Sequence, residues 1–141
     1  MSISRYNSEG YLDPTAYEAL THVERKPKYM MTFRPLVFIC SPFAGDVERN
    51  RGRARVYCRF AVTQNRIPFA PHLLFPQFMD DNNPEERELA IFFGLVFMGK
   101  CRELWVFGDN ITKGMSVEIE KAKTRKIPIR HFNETCKEVS V

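Results

Sequence analysis

The segment FGDNITKGMSVEIEKAK, residues 107–123, sets one carboxylate apart. Glu118 follows Gly114 and Met115 at the start of an amphipathic helix expected over 116–125. Helical spacing turns Met115, Ile119 and Ala122 toward a core and leaves Glu120, Lys121 and Lys123 outside, so Glu118 falls beside the apolar stripe rather than opposite it. An acid at a helix start can be a simple cap, because the free N–H groups and the helix dipole attract negative charge. An acid held partly out of water beside a ligand can act as nucleophile or general base.

Three other segments carry groups suited to ligand contact. In VFICSPFAGD the Ser41 hydroxyl and free N–H groups at a helix start suit a phosphate or a sugar hydroxyl; an ordinary turn and cap is the alternative. Among the arginines of the next helix, Arg51 falls on the inward spacing 47, 51, 54, 58, where it reaches either a ligand phosphate or a buried acid. In PHLLFPQFMDD, His72 precedes Phe75, Phe78 and Met79, an unusual apolar load for a loop. Such a loop closes over a ligand or is buried in an oligomer; His72 alone is as readily a structural hydrogen-bonding residue.

The elements that must position these groups read from the apolar pattern. PLVFIC (35–40), RIPFA (66–70), ELWVFG (103–108) and IPIRHF (127–132) are short strand-like runs. Helices are expected over 47–64, capped by Asp46, and over 83–100, where Asn83, Pro84 and Glu86 supply the cap, the first-turn proline and a capping-box acid. Strands alternating with helices imply a three-layer, Rossmann-like α/β domain over 35–132, with a mainly parallel sheet of four or five strands. Right-handed crossovers then bring the loops 41–46, 71–82 and 109–115 to one sheet edge, where ligands bind in open α/β sheets. Ser41, Pro42, Phe43, Arg51, His72, Phe75, Gly114 and Met115 are the expected ligand contacts. Residues 1–34 read as an appended arm with one helix near 14–25, begun by Asp13 and Pro14, and 133–141 as a polar tail.

Composition narrows the function classes. An apolar share of 44% and a charged share of 27% are those of an ordinary globular protein, and 141 residues suit one main core. A net charge of +4 falls short of the concentrated basic surface of a dedicated nucleic-acid binder. The four cysteines have no CxxC spacing and no nearby histidine pair, so no metal site is expected and a reduced, cytoplasmic setting fits. GxGxxG and GxxxxGK[ST] are both absent, and no cofactor is expected. The longest apolar run, AIFFGLVFMG (90–99), is about half a membrane span, and no secretory leader is visible at the start.

Taken together, FICSPFAGD, IPFAPHLLFPQF and the GM..EI..A pattern after ELWVFGD resemble the nucleoside 2-deoxyribosyltransferase-like superfamily. The resemblance is closer to the uncharacterised bacterial and phage proteins labelled DUF4406, and it spans roughly 35–132. In the deoxyribosyltransferases and related deoxynucleotide N-hydrolases, a Glu near the start of the last helix attacks the anomeric carbon of the deoxyribose. The resemblance gives that role to Glu118, with Ala122 one turn later, and makes Asp109 the counterpart of a helper acid in the preceding loop. Two departures stand out. The enzymes read G-x-E where this chain reads Gly114-Met115-Ser116-Val117-Glu118, and their acid on the preceding helix falls near Gly94 here.

The resulting expectation is an enzyme of the nucleoside or nucleotide N-glycosidic bond, with a nucleotide-binding module without turnover as the alternative. An assembly protein is the third reading. The apolar helix 83–100 and the 71–79 loop further imply a homo-oligomer.

Overall fold

The computed structural model describes residues 32–141. The helix expected near 14–25 lies outside the described residues. The unit Arg34–Val141 is an α/β layer structure. Its sheet has five strands in the order β2-β1-β3-β4-β5: β1 Leu36–Cys40, β2 Ile67–Phe69, β3 Glu103–Phe107, β4 Ile129–Phe132 and β5 Glu138–Val139. The first four pair in parallel and β5 runs antiparallel to β4. The helices are α1 Val47–Thr63, the single turn α2 Pro71–Leu74, α3 Pro84–Met98 and α4 Lys113–Thr124. The mainly parallel sheet is thus as the sequence implies.

Three local features differ from the sequence reading. The apolar segment after β2 is not an open loop: Pro71 starts α2, and Phe75–Gln77 follow as a 3₁₀ turn that buries Phe75. Residues 133–141 do not form a free tail, since the Asn133 carboxamide oxygen accepts from Thr135 N–H (3.0 Å) and Lys137 N–H (2.9 Å), and β5 returns onto β4. Third, α4 begins at Lys113 rather than 116. The Thr112 hydroxyl caps it by accepting from Met115 N–H at 3.3 Å. Gly114, a poor helix former in its first turn, hides that start from a propensity reading.

Side-chain alternation along β1 sorts the core into two layers. Val37 and Ile39 join Tyr57 and Ala61 of α1, with Trp105, Phe107 and Phe132. Phe38 and Cys40 join Met98 of α3 and Met115 and Ala122 of α4, with Leu104 and Val106. The buried side of α1 is centred on Ala54, Tyr57 and Ala61 rather than on 47, 51, 54 and 58. Tyr57 sets that rotation by stacking on Phe107 (ring centroids 4.2 Å apart, interplanar angle 10°).

Candidate functional site

At the carboxyl end of β1 the two faces of the strand open into two neighbouring cavities. The first lies on the α3–α4 side. Phe43, Pro71, Phe75, Ile91 and Met115 give it apolar walls, Ala90 and Gly94 of α3 leave it room, and Glu118 lines it as well. A Cβ added at Gly94 would stand 3.8 Å from the Pro71 Cβ, so a side chain there would fill cavity space. Exposed Asp80, Asp81, Arg87 and Lys113 lie around the opening.

Glu118 is the chemically conspicuous group of this cavity. It stands in the second turn of α4, on the stripe shared with Met115, Ile119 and Ala122, and the capping is done by Thr112. The capping explanation for Glu118 is therefore set aside. Its Oε1 is buried without a hydrogen-bond partner. Burial raises its pKa from 4.5 to about 8, the neighbouring Cys40 thiol opposing this only in part. Cys40 occupies this position because it is the last residue of β1 facing α4; its Sγ also lies 3.8 Å from the Met115 carbonyl oxygen. Burial, with the Glu118 carboxylate second, pushes the thiol well above its usual range.

His72 forms another part of the wall. Its Nε2 is 2.9 Å from the Ser41 carbonyl oxygen. The carbonyl can only accept, so Nε2 carries the proton and Nδ1 is left as an acceptor. Burial lowers the His72 pKa, and the ring is neutral at pH 7. Phe43 packs against it at 4.9 Å between centroids.

The second cavity lies on the α1 side and is polar. Ser41 directly follows β1, and continued alternation from Cys40 carries it to this opposite face. Pro42, Asn110, Thr112 and the α1 residues Arg49, Asn50, Arg53 and Tyr57 line it with Ser41. Glu134, from the β4–β5 turn, is also part of the lining and pairs with Arg53 at 2.7 Å. Asn50 Nδ2 donates to the carbonyls of Phe43 (3.0 Å) and Ala44 (3.1 Å), which fixes the loop separating the cavities. Ala44 and Thr112 belong to both linings.

Of the residues expected from the sequence, Phe43, His72, Phe75, Gly114, Met115 and Glu118 meet in the first cavity, and Ser41 and Pro42 in the second. Arg51 lines neither; its guanidinium pairs with Glu48 at 2.9 Å. Asp109 is exposed and lines neither, because Gly108 (φ 90°) turns the chain as β3 ends. The sequence reading missed Glu86, which joins Ala90 and Gly94 in the first cavity, and Arg49 and Arg53 in the second. The spacings 86-90-94 and 46-49-50-53-57 were the available signals, each a single helical face. Among the described residues no three His, Cys, Asp or Glu side chains gather as a metal site, and no helix is long and apolar enough to cross a membrane.

A family model described as a domain of unknown function, DUF7768, matches residues 35–132. The chain belongs to the DUF7768 family. No curated protein matches it. Among solved structures it is similar to a 2-deoxyribosyltransferase from the psychrotolerant bacterium Bacillus psychrosaccharolyticus, with a TM-score of 0.58 and 16% identity. That match covers 74% of this chain and 77% of the other. At this identity the likeness is one of fold, and it places the DUF7768 sheet and helices in the deoxyribosyltransferase architecture.

Proposed function

We propose that the protein binds a nucleoside or nucleotide in the apolar cavity and acts on its N-glycosidic bond, with Glu118 as nucleophile. The observation that carries this reading is the buried, unpartnered Glu118 oxygen in an aromatic-walled cavity at the carboxyl edge of a parallel sheet. The fold shared with a deoxyribosyltransferase supports it. In the step envisaged, a Glu118 oxygen forms a bond to the anomeric carbon as the carbon–nitrogen bond breaks. The electron pair leaves with the base, which takes a proton from solvent. Water or a second nucleobase then attacks the same carbon and frees the carboxylate. Asp109 has no part in this scheme.

A pKa near 8 leaves Glu118 mostly protonated at neutral pH. A protonated carboxyl is a poor nucleophile, so activity by this route rises with pH toward 8. The test is base release from a panel of deoxynucleosides and their 5′-monophosphates, read by chromatography, with thermal shift on the same ligands. Release by the wild type and not by Glu118→Gln is the expected result. Neither release nor a thermal shift with any of them would overturn the proposal.

Two observations favour the second reading, a nucleotide-binding module without turnover. Gly94 stands where the resembling enzymes carry an acid, and Asp109 lies outside both cavities. Thermal shifts without base release would select it. The narrower kinship with DUF4406-type proteins belongs to the proposal, on the three segments that carry it. So does a cytoplasmic setting, supported by four free cysteines.

Self-association is proposed as well. On α3, Leu89, Phe92 and Val96 form an exposed stripe, and Phe78 beyond the 3₁₀ turn is 66% exposed. Apolar surface of this kind suits a homo-oligomer. Light scattering is expected to return a multiple of 16.5 kDa, and Phe92→Glu to return the monomer; a wild-type monomer at high concentration would refute it.

A further inference from the structure

The second cavity has no part in the chemistry assigned to Glu118, yet it contains an unexplained group. Ser41 is 1% exposed and its hydroxyl oxygen is buried without a hydrogen-bond partner, an arrangement that costs stability unless something supplies the missing bond. Ser41 stands at the inner end of the lining, directly after β1. The guanidinium of Arg53 faces the same space, and Arg49 lies one turn nearer the start of the 17-residue α1.

Glu134 indicates which kind of group belongs there. Its carboxylate is 2.7 Å from Arg53 Nη1, and Arg53, with Arg49 as a lesser contributor, holds its pKa below the usual carboxylate range. The acid comes from the short β4–β5 turn, and its side chain is 59% exposed. An ion pair so exposed contributes little to stability and requires no cavity. It does display how an anion sits against this guanidinium. Tyr57, one turn further along α1, lines the same cavity beside Arg53.

We propose that this second cavity is a phosphate subsite, in which Arg49, Arg53 and the Ser41 hydroxyl bind the phosphate of a phosphorylated ligand and Glu134 is the internal carboxylate that the phosphate displaces. The cavities are neighbours through Ala44 and Thr112. The phosphate thus belongs to the ligand whose remainder occupies the apolar cavity, and the substrate class narrows to nucleoside monophosphates. The narrowing rests on the nucleoside reading; the phosphate subsite itself does not.

Two titrations of the full chain test it, each monitored by thermal shift and by calorimetry at constant ionic strength. In the first the probe is inorganic phosphate. The wild type is expected to respond saturably, Arg49→Gln and Arg53→Gln to weaken binding at least tenfold, and Ser41→Ala to weaken it severalfold. Glu134→Gln removes the competing carboxylate and is expected to tighten binding. Arg49 is exposed, so its variant is the one expected to fold unchanged. Equal phosphate responses in wild type and Arg49→Gln, or weaker binding in Glu134→Gln, would overturn the subsite.

In the second titration each deoxynucleoside is compared with its 5′-monophosphate. The monophosphate is expected to bind at least tenfold tighter, with that advantage lost in Arg49→Gln; no advantage overturns the narrowing to monophosphates. Phosphate binding with no response to any nucleoside or nucleotide supports the subsite and removes the nucleoside reading. Nucleoside binding with no response to phosphate does the reverse.

Discussion

The two cavities lie on opposite sides of the carboxyl end of β1 and differ in nearly every other respect. Cys40, turned toward α4, is buried beside Glu118, the carboxyl that lines the apolar chamber. Ser41, turned toward α1, looks onto arginines, an asparagine and a loop acid. The strand contributes only its alternation, and the covering helix supplies the character. Where α3 and α4 cover the edge, Met115, Ile91 and Gly94 give an apolar lining, and burial strongly perturbs the single carboxyl of Glu118. Where α1 covers it, charged groups meet near solvent and Glu134 is held ionised by its arginine neighbours. A parallel sheet edge can thus separate a desolvated reaction chamber from an anion-holding recess by the pleat of one strand.

The sharpest way to break this contrast is to neutralise the acid of the apolar side. Glu118→Gln keeps the shape of the side chain and removes the nucleophile. Base release is expected to fall at least ~10²-fold, the low end for a positioned catalytic group, with phosphate titration of the other cavity unchanged. A variant that also lost phosphate binding would mean that the two cavities act as one.

The same variant separates the two regions by pH. The Glu118 pKa in the folded chain, about 8, lies above its unfolded value near 4.5, so the folded state holds this proton more tightly. The resulting stability is complete below about pH 4.5 and is lost as pH rises toward 8. Glu134, shifted down, acts in the opposite sense: its contribution is present above about pH 4.5 and fades on acidification. His72, also shifted down, loses stability as pH falls below 6.5. Glu118→Gln removes only the first of these. Chemical denaturation between pH 5 and 8.5 is expected to show the wild type falling relative to the variant, by on the order of a few kcal/mol at the alkaline end. Parallel curves would mean that water reaches the Glu118 carboxylate.

A smaller effect is expected at the wall common to both cavities. Thr112 caps α4 and lines each of them. Thr112→Ala is expected to cost about 1 kcal/mol in thermal unfolding and to weaken both base release and phosphate binding. Loss of only one would show that the wall serves one cavity.

How much of this was legible beforehand follows from which forces are local. The strands and their order of alternation with helices are written in short apolar runs, and the Asn83 cap in a few residues. Glu118 stood out because its neighbours on the helix are apolar. The second cavity was poorly legible, since it depends on how α1 is rolled about its axis. Arginines crowd that helix at 49, 51, 53, 55 and 59, and only the stacking of Tyr57 on Phe107 decides which of them face the sheet edge. Glu134 was invisible for another reason: it approaches Arg53 through the return of β5 onto β4, a pairing that two exposed residues do not announce.

The smallest expected effect is the most direct test of that roll. Arg51 and Arg53 are two residues apart, about 200° around a helix, so they cannot serve the same face. Arg53 meets Glu134 in the polar cavity, whereas Arg51 meets Glu48 on the outer surface of α1. A surface i,i+3 pair contributes at most a few tenths of a kcal/mol, and neither Arg51 nor Glu48 lines a cavity. Arg51→Gln is therefore expected to shift stability by less than about 0.5 kcal/mol and to leave phosphate affinity as it is, while Arg53→Gln lowers it at least tenfold. If the two variants lost phosphate binding equally, α1 would be turned toward the 47-51-54-58 face, and the polar cavity with its arginines would have to be redrawn around Arg51.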